Sequence, residues 1–371
     1  MPPSDADLKL NRNIFIETAL AYALTYIYAT TSKIIEPSNI IILADNDYYS
    51  TCGEALITGQ RFHNFGVPVT EAHKTGLGSS AALVTSFTAA VLSYYLSEEE
   101  FNLQEESSRR RLHNLAQASH CAAQGKVGSG FDVASAVYGS CLYRRFSPSV
   151  LSANIDLDSK GFASQLKDTV NEAGSAGHWD TEIIKDAVKV PKGLRFVMCD
   201  VDCGSQTPGM VKKVLGWRTK QSERAEKVWD DLQAANEAFV QELKRVADSG
   251  ETDYSGLRQR IQHIRKDIRN MGTESDVPIE PPAQTRLLDA CTDLAGVIGG
   301  VVPGAGGYDA IALLLEDKPE VLGSLEKLLA QWKFEGSGEP GAGGRVSILG
   351  VREEMEGVKT ETPKSYLESL P

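Results

Sequence analysis

Cysteine is scarce in this chain, which has six among its 371 residues. None of the six has the paired spacing of a zinc site, and Cys199 and Cys203, four residues apart, lack a second pair or a histidine cluster. So few cysteines in so long a chain predict free thiols in a reducing compartment. We therefore expect no zinc centre in this protein.

Positive charge is in deficit, since 38 Lys and Arg residues face 50 Asp and Glu residues, for a net charge of −12. That balance argues against nucleic acid and anionic membrane surfaces as partners, so an anionic substrate needs a local basic cluster. No apolar run reaches the length that spans a membrane, and the polar start at Met1–Asp5 does not lead into the apolar segment of a signal peptide. We expect a cytoplasmic protein that binds neither nucleic acid nor membranes.

Hydrophobic residues make up 42% of the chain, which is enough for a sizeable core in two lobes. Glycine and proline turns make residues 152–193 the best candidate boundary, and we predict domains at 1–190 and 191–371. Helical periodicity predicts helices over residues 11–30, 79–95, 107–124, 222–248 and 256–271, the last of which stops at Gly272. Short β-branched or apolar runs predict strands at 39–44, 141–146, 194–199, 310–315 and 346–351.

The most informative stretch is Lys74–Leu83, which reads Lys-Thr-Gly-Leu-Gly-Ser-Ser-Ala-Ala-Leu. A tight glycine pair precedes two hydroxyl residues and an apolar run at helical spacing. With a serine at the N-cap, the remaining N–H groups of the first helical turn would point into the glycine turn and form an anion site. The alternative is a glycine turn before a buried helix, without a ligand. The stretch is not a P-loop, because its lysine precedes the glycines, and it lacks the third glycine of a dinucleotide site.

A second glycine-rich stretch, Gln124–Ala134, follows a predicted helix and contains Asp132. An acid at a loop–helix junction is well placed to orient or deprotonate a nucleophile, or to hold magnesium. The alternative is that Asp132 only caps the next helix. Farther on, Arg144 and Arg145 lie on a predicted strand, where they either clamp a second phosphate or are the solvated charges of an edge strand.

The third stretch is Val301–Ala310, in which an apolar strand leads into Gly304-Ala305-Gly306-Gly307 and then into another apolar strand. Such a loop allows a substrate to contact bare backbone. Residues 341–344 repeat the glycines without a following Asp, and we predict a hairpin loop there.

These three stretches, in this order, resemble the motifs of the GHMP kinases, and the resemblance covers nearly the whole chain. Residues 76–80 are similar to the Gly-Leu-Gly-Ser-Ser motif that binds phosphate, and the loop that ends at Asp132 is similar to the family's Gly-x-x-Ser-Gly-x-Asp loop. One extra residue in that loop resembles the fungal members that phosphorylate mevalonate 5-phosphate. The resemblance implies an α+β fold with an S5-like N-terminal lobe and a ferredoxin-like C-terminal lobe. It also implies transfer of the ATP γ-phosphoryl group to mevalonate 5-phosphate.

The resemblance further implies which residues form the site. Asp132 and Lys126 would be catalytic, the first by orienting the acceptor and the second by neutralising transferred charge. The residues expected to bind ATP are Lys74, Thr75, Gly76, Leu77, Gly78, Ser79, Ser80 and Ala81, with Mg²⁺ held at Ser79. The residues expected to bind the substrate are Ser129, Gly130, Arg144, Gly304, Ala305 and Gly306.

Of two departures from the family pattern, the first keeps alternatives open and the second favours mevalonate 5-phosphate as the acceptor. The family's first motif, a Pro-x-x-Gly-Lys-type loop, is absent, so we expect an N-terminal lobe that is incomplete at its start. A nucleotide-binding homologue with impaired catalysis would fit that absence, and a kinase for another small alcohol is a closer rival. Mevalonate kinases also carry a metal-binding Glu on the helix before the Asp loop, where this chain offers Gln117 and His120.

Two features in the C-terminal half have no predicted role in catalysis. Arg258, Arg265 and Arg269 fall on the outward side of the predicted helix 256–271, and we expect a solvated face there. Ile279–Thr285 resembles a stretch found in the same kinases, but its residues do not indicate a chemistry.

Overall fold

A computed structural model describes residues 12–31, 34–49, 61–62, 74–151, 157, 159–173, 178–201, 207–334, 344–362, 364 and 366. The chain divides into two compact units. The first unit takes in the described residues of Met1–Tyr49, Ala55–Lys185 and Glu354–Pro371, and the second unit those of Asp186–Glu353. The domain boundary at residue 190 stays a prediction, and the segment from Glu354 onward packs with the first unit.

The first unit is mainly helical. Its helices are α1 (Ile14–Thr31), α2 (Ser79–Tyr95), α3 (Glu106–Gln124), α4 (Phe131–Tyr138) and α5 (Phe162–Val170), and its antiparallel strands are β1 (Leu142–Arg144) and β2 (Glu182–Ile184). Helix α3 lies at the centre, in contact with the other four helices. The largest side chains buried around it are Trp179, Tyr22, Tyr26, Tyr138 and Phe146. This central position explains why α3 also buries many polar residues.

The second unit is a four-stranded antiparallel sheet with helices on both faces. Its strands are β3 (Leu194–Val201), β4 (Val297–Val301), β5 (Ala310–Glu316) and β6 (Val346–Ile348), in the order β4-β5-β3-β6. Its helices are α6 (Thr207–Lys220), α7 (Ser222–Ser249), α8 (Ser255–Ser275), α9 (Pro282–Thr292) and α10 (Pro319–Gln331).

Alternate residues of β5 pack on opposite faces of the sheet, as the two-residue period of a strand requires. Leu313 and Leu315 pack with α9 and α10, whereas Leu314 packs with residues of α7 and α8. The predicted α+β class and the long helices are thus confirmed. Among the described helices, none is long and apolar enough to cross a membrane.

Two secondary-structure predictions are wrong. Residues 39–44 form no strand, because no described segment pairs with their backbone. The side chains of Ile40, Ile41 and Ile42 are exposed. Helix α8 does not stop at Gly272 but continues to Ser275. Gly272 instead allows close packing. A methyl group at Gly272 would lie 2.8 Å from the carbonyl oxygen of Val277.

The expectation of a solvated arginine face on α8 is also wrong for Arg265, which is 5% exposed. Its charge is compensated by Glu280, which lies outside the helix. The helical spacing of residues 256–271 could therefore not predict this ion pair. The predicted hairpin loop at 341–344 falls largely outside the described residues.

The end of α4 is fastened by the chain segment that returns to the first unit after Glu353. Ser140 donates its N–H to the Glu354 carbonyl (2.6 Å), and Gly139 and Gly357, both at positive φ, meet backbone to backbone. A methyl group at Gly357 would lie 2.5 Å from the Gly139 nitrogen. Only glycine therefore satisfies both the conformation and the space at this contact.

We expect Gly357→Ala to destabilise the first unit more than Gly161→Ala does. Both glycines have positive φ (70° and 88°), but nothing lies within 4 Å of a methyl group at Gly161. The conformational cost common to both is about 1 kcal/mol, and the collision at Gly357 should add roughly 2 kcal/mol. Urea unfolding of the two variants measures the difference. Equal loss of stability in the two would show that the contact of Gly357 with Gly139 relaxes freely.

Candidate active site

Helix α2 begins at a glycine turn, as predicted, but its N-cap is Gly78 rather than a serine. Gly78 has φ 73° and ψ 35°, and no side chain caps the helix. The first intrahelical bond runs from the Ala82 N–H to the Gly78 carbonyl (3.1 Å). The N–H groups of the residues between them have no partner within the helix, and together with the helix dipole they favour an anion.

The residues before this turn are tied to an earlier segment of the first unit. Thr75 is buried, its N–H donates to the Tyr48 carbonyl (3.2 Å), and its hydroxyl donates to the Asp47 carbonyl (2.7 Å). Lys74 forms an isolated antiparallel bridge with Tyr49 and is exposed. The Thr75 hydroxyl is therefore used within the protein, whereas the Lys74 side chain faces solvent.

A histidine of α3 reaches the hydroxyl group of Ser80. The Ser80 Oγ lies 3.1 Å from the His120 Nε2, which also lies 3.4 Å from the Gln124 Nε2. His120 is 3% exposed, and burial lowers the pKa of its imidazole while the charge of Asp132 acts in the opposite direction. A neutral His120 accepts a hydrogen bond at Nε2, so the Ser80 hydroxyl at the glycine turn of α2 can donate to it.

The second predicted motif meets the first within the same unit. Gly130 is the N-cap of α4 with φ 78°, and Asp132 lies in the first turn of that helix. A methyl group at Gly78 would lie 3.4 Å from the Cβ of Asp132. The glycine turn of α2 and the acid of α4 are therefore in contact. The Asp132 Oδ1 also accepts the Val133 N–H (3.0 Å), as the capping alternative expects, and a catalytic role for Asp132 stays a prediction.

Two side chains hold the turn that precedes Asp132. The Tyr143 hydroxyl donates to the Ser129 carbonyl (2.9 Å), and the Gln117 Nε2 donates to the Gly130 carbonyl (2.6 Å). A methyl group at Gly130 would lie 2.7 Å from the Gln117 Nε2. These contacts leave no room for a side chain at Gly130 and fix the start of α4.

Gln117 is itself held by a buried histidine. Its Nε2 lies 3.2 Å from the His113 Nε2, and the His113 Nδ1 lies 3.0 Å from the Asn114 Oδ1. An amide nitrogen only donates, so His113 accepts at Nε2 and carries its proton on Nδ1. All three side chains are fully buried, and burial lowers the pKa of His113 to about 4.

The sequence contained a signal for this polar arrangement that was not recognised. His113, Gln117, His120 and Gln124 recur at spacings of four, three and four, which places them on one side of α3. Gln117 and His120 were noted only as replacements for a metal-binding Glu. Tyr143 and His113 were not proposed for the site at all.

The remaining predicted residues of the first unit are more exposed. Lys126 lies on the exposed turn after α3, beyond the left-handed C-cap Gly125. Arg144 pairs with Glu182 (2.9 Å), with 64% of its own side chain exposed. This ion pair matches the edge-strand alternative, and a role for Arg144 in substrate binding stays a prediction.

The third predicted loop connects β4 to β5 in the second unit. Gly304, Gly306 and Gly307 all have positive φ (64°, 77° and 112°), and the Gly307 N–H donates to the Ile279 carbonyl (2.9 Å). Gly304 and Ala305 are not buried, whereas Gly306 and Gly307 are. The loop thus has an open end and an end that is packed within the unit.

Comparisons with known proteins place these motifs in one family. Residues 64–140 match the GHMP kinases N terminal domain, and residues 254–333 match the GHMP kinases C terminal domain. The phosphomevalonate kinase of Aspergillus fumigatus is 50% identical over 365 residues, covering 96% of this chain and 75% of that protein. That of Candida albicans is 35% identical over 373 residues, covering 96% and 81%.

A plant relative and a solved structure agree with this placement. The peroxisomal phosphomevalonate kinase of Arabidopsis thaliana is 32% identical, with 95% of this chain and 79% of that protein covered. A crystal structure of the Lin0012 protein from Listeria innocua has a TM-score of 0.57 at 19% identity, over 94% of this chain and 84% of that one. The structural likeness shows the fold alone.

We expect the stability of the first unit to fall as the pH drops from 7 to 5, and His113 to cause part of the loss. An unfolded histidine has a pKa of about 6.5, whereas the folded His113 has a pKa of about 4. Between these values the unfolded chain binds a proton that the folded chain does not, so this contribution is full above pH 6.5 and is lost toward pH 4. His113→Gln keeps an acceptor for Gln117 without titrating, and its loss of stability should be smaller by about 2 kcal/mol.

Urea unfolding at pH 7 and pH 5 measures this difference. His263→Gln is the matched control, because His263 is 56% exposed in the second unit and should leave the pH dependence of the first unit unchanged. The same acid loss in His113→Gln as in the unchanged chain would contradict a neutral, buried His113.

Proposed function

The chain belongs to the phosphomevalonate kinases within the GHMP kinase family, and from that premise we propose that it transfers the γ-phosphoryl group of ATP to mevalonate 5-phosphate. The observation that carries the proposal is the contact of Asp132 with the glycine turn at the start of α2. An anion site and a carboxylate within one compact unit are two of the parts that phosphoryl transfer uses. The related kinases supply the identity of the acceptor.

The start of α2 is the proposed site for the ATP phosphates. Backbone N–H groups from Gly76 to Ala81 and the hydroxyl of Ser79 offer donors, and the exposed Lys74 offers a positive charge. Ser80 would contribute its backbone N–H, since its hydroxyl donates to His120. Thr75 contributes through its backbone position, since its hydroxyl is bound to Asp47. Because the protein carries a net charge of −12, these local donors must act against the overall field.

The residues at this turn fit a magnesium ion. Mg²⁺ prefers hard oxygen ligands and is held by one or two carboxylates together with the substrate phosphates. The Asp132 carboxylate and the Ser79 hydroxyl are the proposed protein ligands. In the described part of the chain no three His, Cys, Asp or Glu side chains gather into a metal site. When bound, the ion would supply positive charge that offsets the charge of the transferring group.

Asp132 would act mainly by orientation. The acceptor is a phosphate that is already ionised near neutral pH, so little deprotonation is required of a base. The clamp of Gln117 and Tyr143 on the preceding turn gives Asp132 a defined starting position for this task. Lys126, on the exposed turn, would neutralise charge on the transferring group.

Six residues are proposed to bind the acceptor. In the first unit these are Ser129 and Gly130, together with Arg144 if its ion pair with Glu182 opens. In the second unit they are Gly304 and Ala305 at the open end of the loop, together with Gly306 at its packed end. For the location we propose the cytoplasm, a reducing compartment in which the described thiols stay unpaired.

Asp132→Asn should abolish turnover and leave ATP affinity nearly intact, because it removes a contact made in the transition state. The expected kcat is below about a tenth of the original value, which corresponds to at least about 1.4 kcal/mol of barrier. Asp168→Asn, an exposed acid on α5 of the same unit, is the control and should behave as the unchanged chain. Steady-state turnover with a panel of small acceptors and an ATP titration give both quantities. A variant that retains more than this would remove Asp132 from the central role.

Gly78→Val should abolish ATP binding while the second unit stays folded. A β-branched residue disfavours the left-handed conformation of the turn and brings carbon atoms against Asp132. Gly161→Val is the control, because Gly161 has positive φ and open space around it, so the variant carries the conformational strain without touching the glycine turn of α2. Isothermal titration with ATP separates the two. If Gly78→Val binds ATP as well as Gly161→Val does, the glycine turn has only a structural role.

A further inference from the structure

A fully buried carboxylate lies in the second unit, just before α9. The side chain of Glu280 is 0% exposed, and its Oε1 accepts hydrogen bonds from Arg265 Nη2 (2.7 Å), Arg269 Nη1 (2.8 Å) and Thr285 Oγ1 (3.0 Å). We call these four residues the Glu280 cluster. A buried charge is tolerated only with such pairing. The cluster therefore ties residue 280 firmly to helix α8.

The cluster belongs to the Ile279–Thr285 stretch, whose chemistry the sequence did not indicate. Pro281 and Pro282 follow Glu280 directly and begin α9. On the helix side, Gly272 of α8 approaches the Val277 carbonyl so closely that no side chain fits. The segment between α8 and α9 is thus held by close packing against Gly272 at one end and by the buried charge of Glu280 at the other.

This segment in turn shapes the glycine loop between β4 and β5. The Ile279 carbonyl, next to Glu280, accepts the Gly307 N–H (2.9 Å), and a methyl group at Gly306 would collide with the same oxygen. Gln284 is fully buried and donates its Nε2 to the Tyr308 carbonyl. The Ile279 carbonyl and the Gln284 amide therefore determine where the packed end of the loop lies.

We propose that the Glu280 cluster positions the Gly304–Gly307 loop, through the Ile279 carbonyl and the Gln284 amide, for binding of the phosphorylated acceptor. The proposal rests on the proposed function, in which this loop contacts mevalonate 5-phosphate. The members of the cluster are positioning residues, since they reach the loop only through the backbone of Ile279 and the side chain of Gln284.

A purely stabilising role explains the cluster less well. Burying an ion cluster costs desolvation, and apolar residues of similar volume usually stabilise a fold as well or better. What charged groups supply is directional bonding. Donors from three residues on a single carboxylate oxygen leave residue 280 little freedom. A displacement of about 1 Å at a substrate contact can lower rates strongly.

Arg269→Met is the test variant. Arg269 is 40% exposed, and its removal leaves Glu280 paired with Arg265 and Thr285, so the chain should still fold. Thr285→Val, which removes a single hydrogen bond, is a milder second variant. Arg258→Met is the matched control, because this arginine of the same helix donates to the carbonyls of Thr292 and Val297 and not to the loop or its supports.

Two measurements on the full chain decide the proposal. Hydrogen exchange at the Gly307 amide should be about tenfold faster in Arg269→Met and unchanged in Arg258→Met. The KM for mevalonate 5-phosphate should rise roughly tenfold in Arg269→Met, with the KM for ATP unchanged. Thr285→Val should shift both quantities in the same direction by smaller factors.

The outcomes separate this proposal from the proposed function. Unchanged exchange at Gly307 in both test variants overturns the positioning role, and so does faster exchange with an unchanged KM for the acceptor. A rise in both KM values, or an equal effect in Arg258→Met, indicates general loss of stability and also overturns it. Absence of turnover with mevalonate 5-phosphate in the unchanged chain counts against the proposed function, and the exchange measurement still reports on the cluster.

Discussion

Helices α2 and α4 of the first unit begin at glycines in the left-handed conformation, and the candidate site depends on this constraint. Gly78 and Gly130 have φ near 73° and 78°, and neither start is capped by a side chain. Helix α2 presents uncapped N–H groups, whereas in α4 the Asp132 Oδ1 accepts the Val133 N–H (3.0 Å). The first turns of the two helices meet where Gly78 faces Asp132. A side chain at Gly130 would displace Gln117. The positions of the anion site and of the carboxylate are thus set by backbone geometry that only glycine allows.

This geometry requires buried polar residues on α3, the helix at the centre of the first unit. Helix α3 buries His113, Asn114 and Gln117 completely, and such groups are tolerated only when hydrogen-bonded. The chain His113–Gln117–Gly130 meets that requirement for the imidazole and the Gln117 amide nitrogen, while the Gln117 Oε1 is buried without a partner, and it ends on the turn before Asp132. A neutral histidine serves here because an acceptor is needed, and burial keeps it neutral. The hydrogen bonds that pair the buried polar groups of α3 are therefore the same bonds that hold the turn before Asp132.

The sequence allowed prediction of what depends on local pattern. The long helices α2 and α7 follow from apolar spacing, and the three glycine loops follow from composition, since both signals lie within short windows. Contacts between residues far apart in the sequence could not be predicted. Arg265 was assigned to solvent because its partner Glu280 lies beyond the helix, and residues 39–44 were assigned to a strand without knowledge of a pairing neighbour. Gly272 looked like a helix stop, whereas its role is close packing against a later turn.

Each unit supports a glycine loop by a buried group that acts on backbone, but the two supports differ in kind. In the first unit a neutral amide suffices, because Gln117 lies on a long helix whose packing already fixes it. In the second unit the supporting Ile279 carbonyl belongs to a short connection between α8 and α9, which has no regular hydrogen bonding of its own. A connection of that kind needs strong directional bonds to be held, and charge-assisted bonds to Glu280 provide them. The charged cluster thus occurs where the backbone would otherwise be least constrained.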